Sequence, residues 1–215
     1  MSFGEYLDSR RELLLFEFGQ HASMVAQCVL LAALIGVPLA VVSYRRPALA
    51  AVTTTAAGLL YTVPAFALFG LLIAVVGLGV APAVIAITAY AVLPIVRNGI
   101  VGLRGVDAPT VEAARGMGMG RIAVLCRVEL PMAWPVLLAG IRTATQLAMG
   151  IGAIAAYVGG PGLGEQIFSG LARLGAINSL NATLTGVLGI ALLAVLFDVG
   201  LLLLGRLTIN RGLRA

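Results

Sequence analysis

Lysine is absent from this chain: all fourteen basic residues are arginine. That excludes the phosphate-gripping lysine of a nucleotide loop and the amine of a Schiff base. There is one histidine, His21, and there are two cysteines, Cys28 and Cys126. Cys28 lies within an apolar run and Cys126 in a polar interval, too scattered a set for a disulfide or a Cys/His metal site. No serine sits in a nucleophile-elbow setting with a histidine partner, so no catalytic residue, metal or cofactor is assigned. Charge is scarce as well, at 11% of residues against 60% hydrophobic, with 27 glycines in 215 residues. A soluble domain of this size does not have that composition, whereas an integral membrane bundle does.

What is present is a series of long apolar runs. The length allows about five spans of helical type, with no room for a separate soluble domain. The first twenty residues mix Glu5, Asp8, Arg10, Arg11, Glu12 and Glu17 with leucine and phenylalanine. They read as an N-terminal extracytoplasmic interfacial segment rather than a signal-peptide core. Apolar runs follow at about 21–43, 48–77, 80–102, 132–158 and 183–205, ahead of a cytoplasmic tail at 206–215. The second run exceeds the hydrocarbon thickness and predicts tilt or a break at Pro64. If residues 107–131 are cytoplasmic, ten arginines lie inside, including Arg211 and Arg214, and three lie outside, with Arg142 left within a span. That split satisfies the positive-inside rule and places the N-terminus outside and the C-terminus in the cytoplasm. The net charge of +5 then reflects attraction to an anionic inner leaflet, and no nucleic acid is needed as a partner.

The polar interval at 107–131 is the most informative stretch. Asp107 caps a helix whose first turn tolerates Pro109, and Gly116, Gly118 and Gly120 make its continuation costly, at about 1 kcal/mol each. A second short helix is expected from about Arg121 to Arg127, stopped by Pro131. The glycine run 116–120 follows no strand, which sets aside a dinucleotide loop. Two short helices joined by a glycine turn and faced with small residues form a knob suited to a groove on another protein.

Glu112-Ala113-Ala114, Gly118 and Val128-Glu129-Leu130-Pro131, at these separations, resemble the EAA loop of ABC-importer permeases, with valine where isoleucine is more usual. The segments TVPAFALFGLLIAVVGLGVAP, AYAVLPIVRNGIVGL, VELPMAWPVLLAGIRTAT and GGPGLGEQI extend the resemblance from about His21 to Asp198. Together they look like the permease subunits of the glycine betaine, choline, carnitine and proline importers. The resemblance implies the all-α fold of a type I importer permease in a prokaryotic inner membrane, with a second copy or a paralogue beside it. It further implies cytoplasmic ABC ATPase subunits that bind the coupling loop through Glu112, Ala113, Ala114, Gly118, Val128, Leu130 and Pro131. An extracytoplasmic substrate-binding protein would deliver the solute. With no lysine for a nucleotide loop, ATP would be bound and hydrolysed by the partner, whose closure would move the helix at 108–117 as a rigid lever. Tyr61-Thr62-Val63-Pro64 and Asn98-Gly99 depart from the usual Gln-Thr-Ile-Pro and Asn-Thr, which leaves the solute open. A permease for another small solute, such as an amino acid, and an ATP-independent channel or structural subunit stand as alternatives.

Two charges fall within spans. Arg142 and Asp198 come to similar depths, so they are expected to pair or share a polar pocket, with a place on the translocation path as the alternative. The segment at 159–180 must turn sharply and then offers Ile167, Leu171 and Leu174 on one face, either for docking or as a surface cap. Aromatic faces could hold a quaternary ammonium. Tyr61, Phe66, Phe69, Tyr90 and Tyr157 nevertheless read individually as packing residues, and no solute ligand is assigned.

Overall fold

The computed structural model describes residues 1–209, and all regular structure among them is helical. The expectations for Arg211 and Arg214 lie outside the described residues. Four described helices are long and apolar enough to cross a membrane: α2 (Arg11–Ser43), α5 (Val80–Arg104), α8 (Leu130–Ala155, within a continuous helical stretch from Arg121 to Val158) and α10 (Ser179–Thr208). Two shorter helices, α3 (Pro47–Leu60) and α4 (Ala65–Val76), are bent by 90° and make up to a fifth crossing if the pair counts as one span. The helices α1 (Phe3–Ser9), α6 (Ala108–Gly116), α7 (Arg121–Val124) and α9 (Gly164–Ala172) are the remaining α-helices among the described residues.

Helix α5 is the centre of the bundle, packed between α2 and α8 and buried along most of its apolar stretch. Small residues let the backbones meet there, as they do where lipid supplies no hydrophobic drive between helices. A methyl group at Gly140 would come within 2.7 Å of the Pro94 carbonyl oxygen, and one at Gly36 within 2.9 Å of the Ile95 side chain. Phe69, Ile87, Met149 and Leu163 fill the main core alongside Val25 and Cys28.

The segment expected to be interfacial at 1–20 is helical in two parts, the second continuous with the first span. Only α1 is separate, capped by reciprocal hydrogen bonds between Ser2 and Glu5. From Arg11 onward the chain is one helix of 33 residues. The buried positions Glu17, His21, Met24, Val25 and Cys28 keep helical spacing across the polar start, so nothing interrupts the winding. The Glu17 carboxylate is tolerated because Gln166 on α9 donates to it at 2.8 Å, while the Tyr6 hydroxyl of α1 donates to the Gln166 carbonyl at 3.0 Å. These contacts tie α1, α2 and α9 together at the end of the bundle remote from residues 107–131.

Residues 61–64 form the bend between α3 and α4, and Pro64 starts the second helix. Proline alone does not set a right angle. Here the Tyr61 hydroxyl donates to the Tyr90 carbonyl at 2.7 Å, and the Tyr90 hydroxyl donates to the Val63 carbonyl. The freed backbone at the break is thus satisfied by α5, the condition on which irregular backbone is stable at membrane depth.

Candidate functional site

The loop at 107–131 begins with Asp107, whose Oδ2 accepts from the Thr110 hydroxyl at 3.1 Å and from its amide at 3.4 Å. Pro109 falls in the first turn of α6, where its missing N–H is not needed. Past Met117 the chain reverses at Gly118, whose φ of +84° is a left-handed conformation that glycine adopts without penalty. A side chain there would meet nothing within 4 Å, so backbone conformation alone explains the glycine.

The seven motif positions divide between surface and anchor. Glu112, Ala113, Gly118 and Pro131 are exposed, Ala114 is buried, and Val128 and Leu130 are half-buried. Leu130 packs against the cluster containing Tyr44, Val96, Ile100 and Ala133. Between the anchors protrude Met117 and Ile122, 76% and 79% exposed. An open cleft of about 650 Å³ beside them is lined by Arg45, Arg46, Arg115 and Arg121, giving the knob an electropositive flank.

The second helix of the loop is not stopped by Pro131. After α7 the chain makes a π-helical turn, Leu125–Glu129, and runs straight into α8 with Pro131 near its start. In an α-helix the Pro131 ring would crowd the carbonyl four residues back. The wider turn, closed by the Leu130 amide on the Leu125 carbonyl, opens the ladder just before the proline.

Glu129 is the buried residue of that turn, 4% exposed. Its carboxylate accepts from the Tyr44 hydroxyl at 2.8 Å and from Arg45 Nη2 at 2.9 and 2.8 Å, while Arg104 Nε donates to the Tyr44 carbonyl at 2.7 Å. The Arg45 guanidinium also lies over the Tyr44 ring, 5.0 Å from its centroid. Burial, followed by the Glu129 hydrogen bond and charge, pushes the Tyr44 hydroxyl up to about 12, and the hydrogen bond to Glu129 raises Arg45. Tyr44 therefore remains a donor, and Arg45 a cation, at any physiological pH. This knot fixes the end of α2 to the root of the loop. Sequence reading placed Glu129 in the motif without assigning it a role and treated Arg45 only as an inside charge. The available signal was that Glu129 is the sole acidic residue between Glu112 and Glu165, at the mouth of an apolar run.

Within the spans the structure brings Arg142 and Asp198 together. Arg142 Nε and Nη2 donate to the two oxygens of Asp198, each at 2.9 Å, in a bidentate pair joined weakly by Gln146 at 3.4 Å. Both side chains are partly accessible rather than sealed. Of the aromatic residues considered from sequence, Phe69 is buried in the core and Tyr61 and Tyr90 brace the bend. Phe66 and Tyr157 instead meet Phe168 at the remote end of the bundle.

Comparison with known proteins gives concordant results. The family model described as "Binding-protein-dependent transport system inner membrane component" matches residues 32–209. The carnitine transport permease protein OpuCD of Listeria monocytogenes is 36% identical over 195 residues, covering 91% of this chain and 86% of that protein. The osmoprotectant import permease protein OsmW of Salmonella typhimurium is 43% identical over 184 residues, 83% of this chain and 84% of its own. In fold, a chain of the MetNI methionine ABC transporter, solved in an inward facing conformation, superposes with a TM-score of 0.82 at 21% identity, over 98% of this chain and 100% of that one.

Proposed function

Because the chain belongs to the family of binding-protein-dependent transport system inner membrane components, we propose that it is the permease of an ATP-driven importer for a quaternary-ammonium osmoprotectant. Choline, carnitine and glycine betaine appear in the names of its curated relatives, and these are the solutes to test. The observation that carries the mechanism is the exposed knob: Glu112, Met117 and Ile122 protrude from a loop whose root is locked to two spans through Glu129. A partner that grips the knob can thereby move the spans. That partner is a cytoplasmic ATPase subunit, and the arginine-lined flank favours an acidic surface on it. A binding protein supplies the solute on the opposite side, and a second permease copy or paralogue completes the pathway. The loop and the C-terminus lie in the cytoplasm and the N-terminus outside, an orientation that the arginine bias supports.

Uptake of labelled choline, carnitine and glycine betaine into vesicles tests this reading, using the chain with its co-encoded ATPase and binding protein. ATP-dependent uptake of at least one is expected, falling at least tenfold in Glu112→Arg with the variant still inserted. Uptake that ignores both ATP and this substitution would identify a channel instead.

A further inference from the structure

Phe66, Tyr157 and Phe168 come from three separate elements: the first turn of α4, the turn that ends the α8 stretch, and α9. Their ring centroids form a nearly equilateral triangle with sides of 5.4, 5.9 and 6.4 Å, and their planes are inclined to one another by 75°, 47° and 78°. Close-packed core rings would be hidden, yet Phe66 is 49% and Tyr157 63% exposed. Glu165 is exposed one turn before Phe168 on α9, adding negative charge on the same side of that short helix. The arrangement is held from behind. The Tyr61–Tyr90 brace fixes the start of α4, the Gly79 amide donates to the Val158 carbonyl at 2.7 Å, and the buried Gln166 ties α9 to α1 and α2.

We propose that Phe66, Tyr157 and Phe168 form a binding site for the quaternary-ammonium head of the solute at the end of the bundle remote from the coupling loop. A cation seated against the exposed faces of Phe66 and Tyr157 can lie within about 6 Å of their centroids, the range over which the face of a ring attracts it, with Phe168 packed at an angle beside them. A trimethylammonium group suits such a site, since it carries charge on an apolar surface and has no N–H donor that needs a partner. The site rests on the functional reading above and adds to it a solute contact on the permease itself, where delivery by the binding protein would begin. Sequence alone could not reveal it, because the three rings are spread over about a hundred residues and each suits packing when taken singly.

The test is the rate of choline uptake by the complete importer in vesicles, at saturating and limiting solute. Tyr157→Leu and Phe168→Leu keep apolar bulk but remove the ring, and each is expected to lower the maximal rate about tenfold with KM unchanged, since the binding protein is untouched. Tyr157→Phe retains the ring and is expected to stay within twofold of the unaltered importer. Leucine variants that transport at the unaltered rate, or a phenylalanine variant as impaired as leucine, would overturn the site. A second measurement needs no substitution: saturation transfer from the solubilised permease to the methyl protons of tetramethylammonium, compared with neutral neopentyl alcohol. Preference for the cation is expected; preference for the alcohol would mark the rings as an ordinary apolar patch. An importer that moves no quaternary amine, although its permease prefers tetramethylammonium, would overturn the functional reading and leave the site standing.

Discussion

Glu129 shows how one side chain can hold a protruding loop to its frame. Its carboxylate is nearly inaccessible, and both partners come from the end of α2, 84 and 85 residues away in sequence. In Glu129→Ala, the Tyr44 hydroxyl and the Arg45 guanidinium lose their acceptor together. Arg45 is partly solvated, so the cost is about 2–3 kcal/mol rather than the larger penalty of stranding a sealed charge. Tyr44→Phe removes one hydrogen bond and costs about 1 kcal/mol. Thermal unfolding of the purified permease in detergent is expected to rank the midpoints unaltered, then Tyr44→Phe, then Glu129→Ala. At this scale sequence was informative where spacing is local. Glu112 through Pro131 form a pattern within twenty residues, and its exposed and anchoring members are now distinguishable. The partners of Glu129 were not legible, because no local period links a helix end to a turn so far along the chain.

Among the elements, α5 and α8 make the most intimate pair, and glycine permits it. Gly140 faces the Pro94 carbonyl oxygen and the Asn98 side chain, the former part of rigid backbone that cannot step aside. Gly140→Ala is expected to cost about 1–3 kcal/mol through overpacking. The readout is the fraction recovered as a monodisperse species after extraction, with Gly150→Ala as the control, since a methyl group at Gly150 meets nothing within 4 Å. Proline was an uneven guide at this scale. Pro64 signalled a break, yet its right angle depends on Tyr61 and Tyr90, whose pairing is tertiary. Pro131 signalled a stop that does not occur, because five residues of π-helix ahead of it relieve the clash. Likewise, the polar start of α2 looked detached from its span until Gln166 supplied the partner that Glu17 requires.

For the whole molecule, the proposed orientation can be checked with thiols the protein already has. Cys126 is exposed in the loop and Cys28 is buried in the core. A membrane-impermeant maleimide, applied to the permease expressed without its ATPase, is expected to label inside-out vesicles and spare right-side-out ones. Cys126→Ser should abolish the signal. Labelling from the opposite face would invert the topology. The overall class was legible because composition and run length report directly on a membrane environment, and the arginine distribution adds a direction. How the runs pack was not, since nearly every residue in them is apolar and only contacts such as those of α5 separate core from lipid-facing sides.

The continuous helical stretch from Arg121 to Val158 spans 38 residues, roughly 57 Å at 1.5 Å per residue. Ile122 is near one tip and Tyr157 near the other, and the π-helical turn at Leu125–Glu129 widens the winding between them without ending it. Moving as one body, a stretch of that length would convert angle into displacement: tipped by about 5° about one end, it would carry the other through an arc of about 5 Å. The grip on the knob and the wall of the proposed ammonium site are therefore opposite ends of a single strut. A displacement of that size at the far tip would be comparable with the width of one trimethylammonium group.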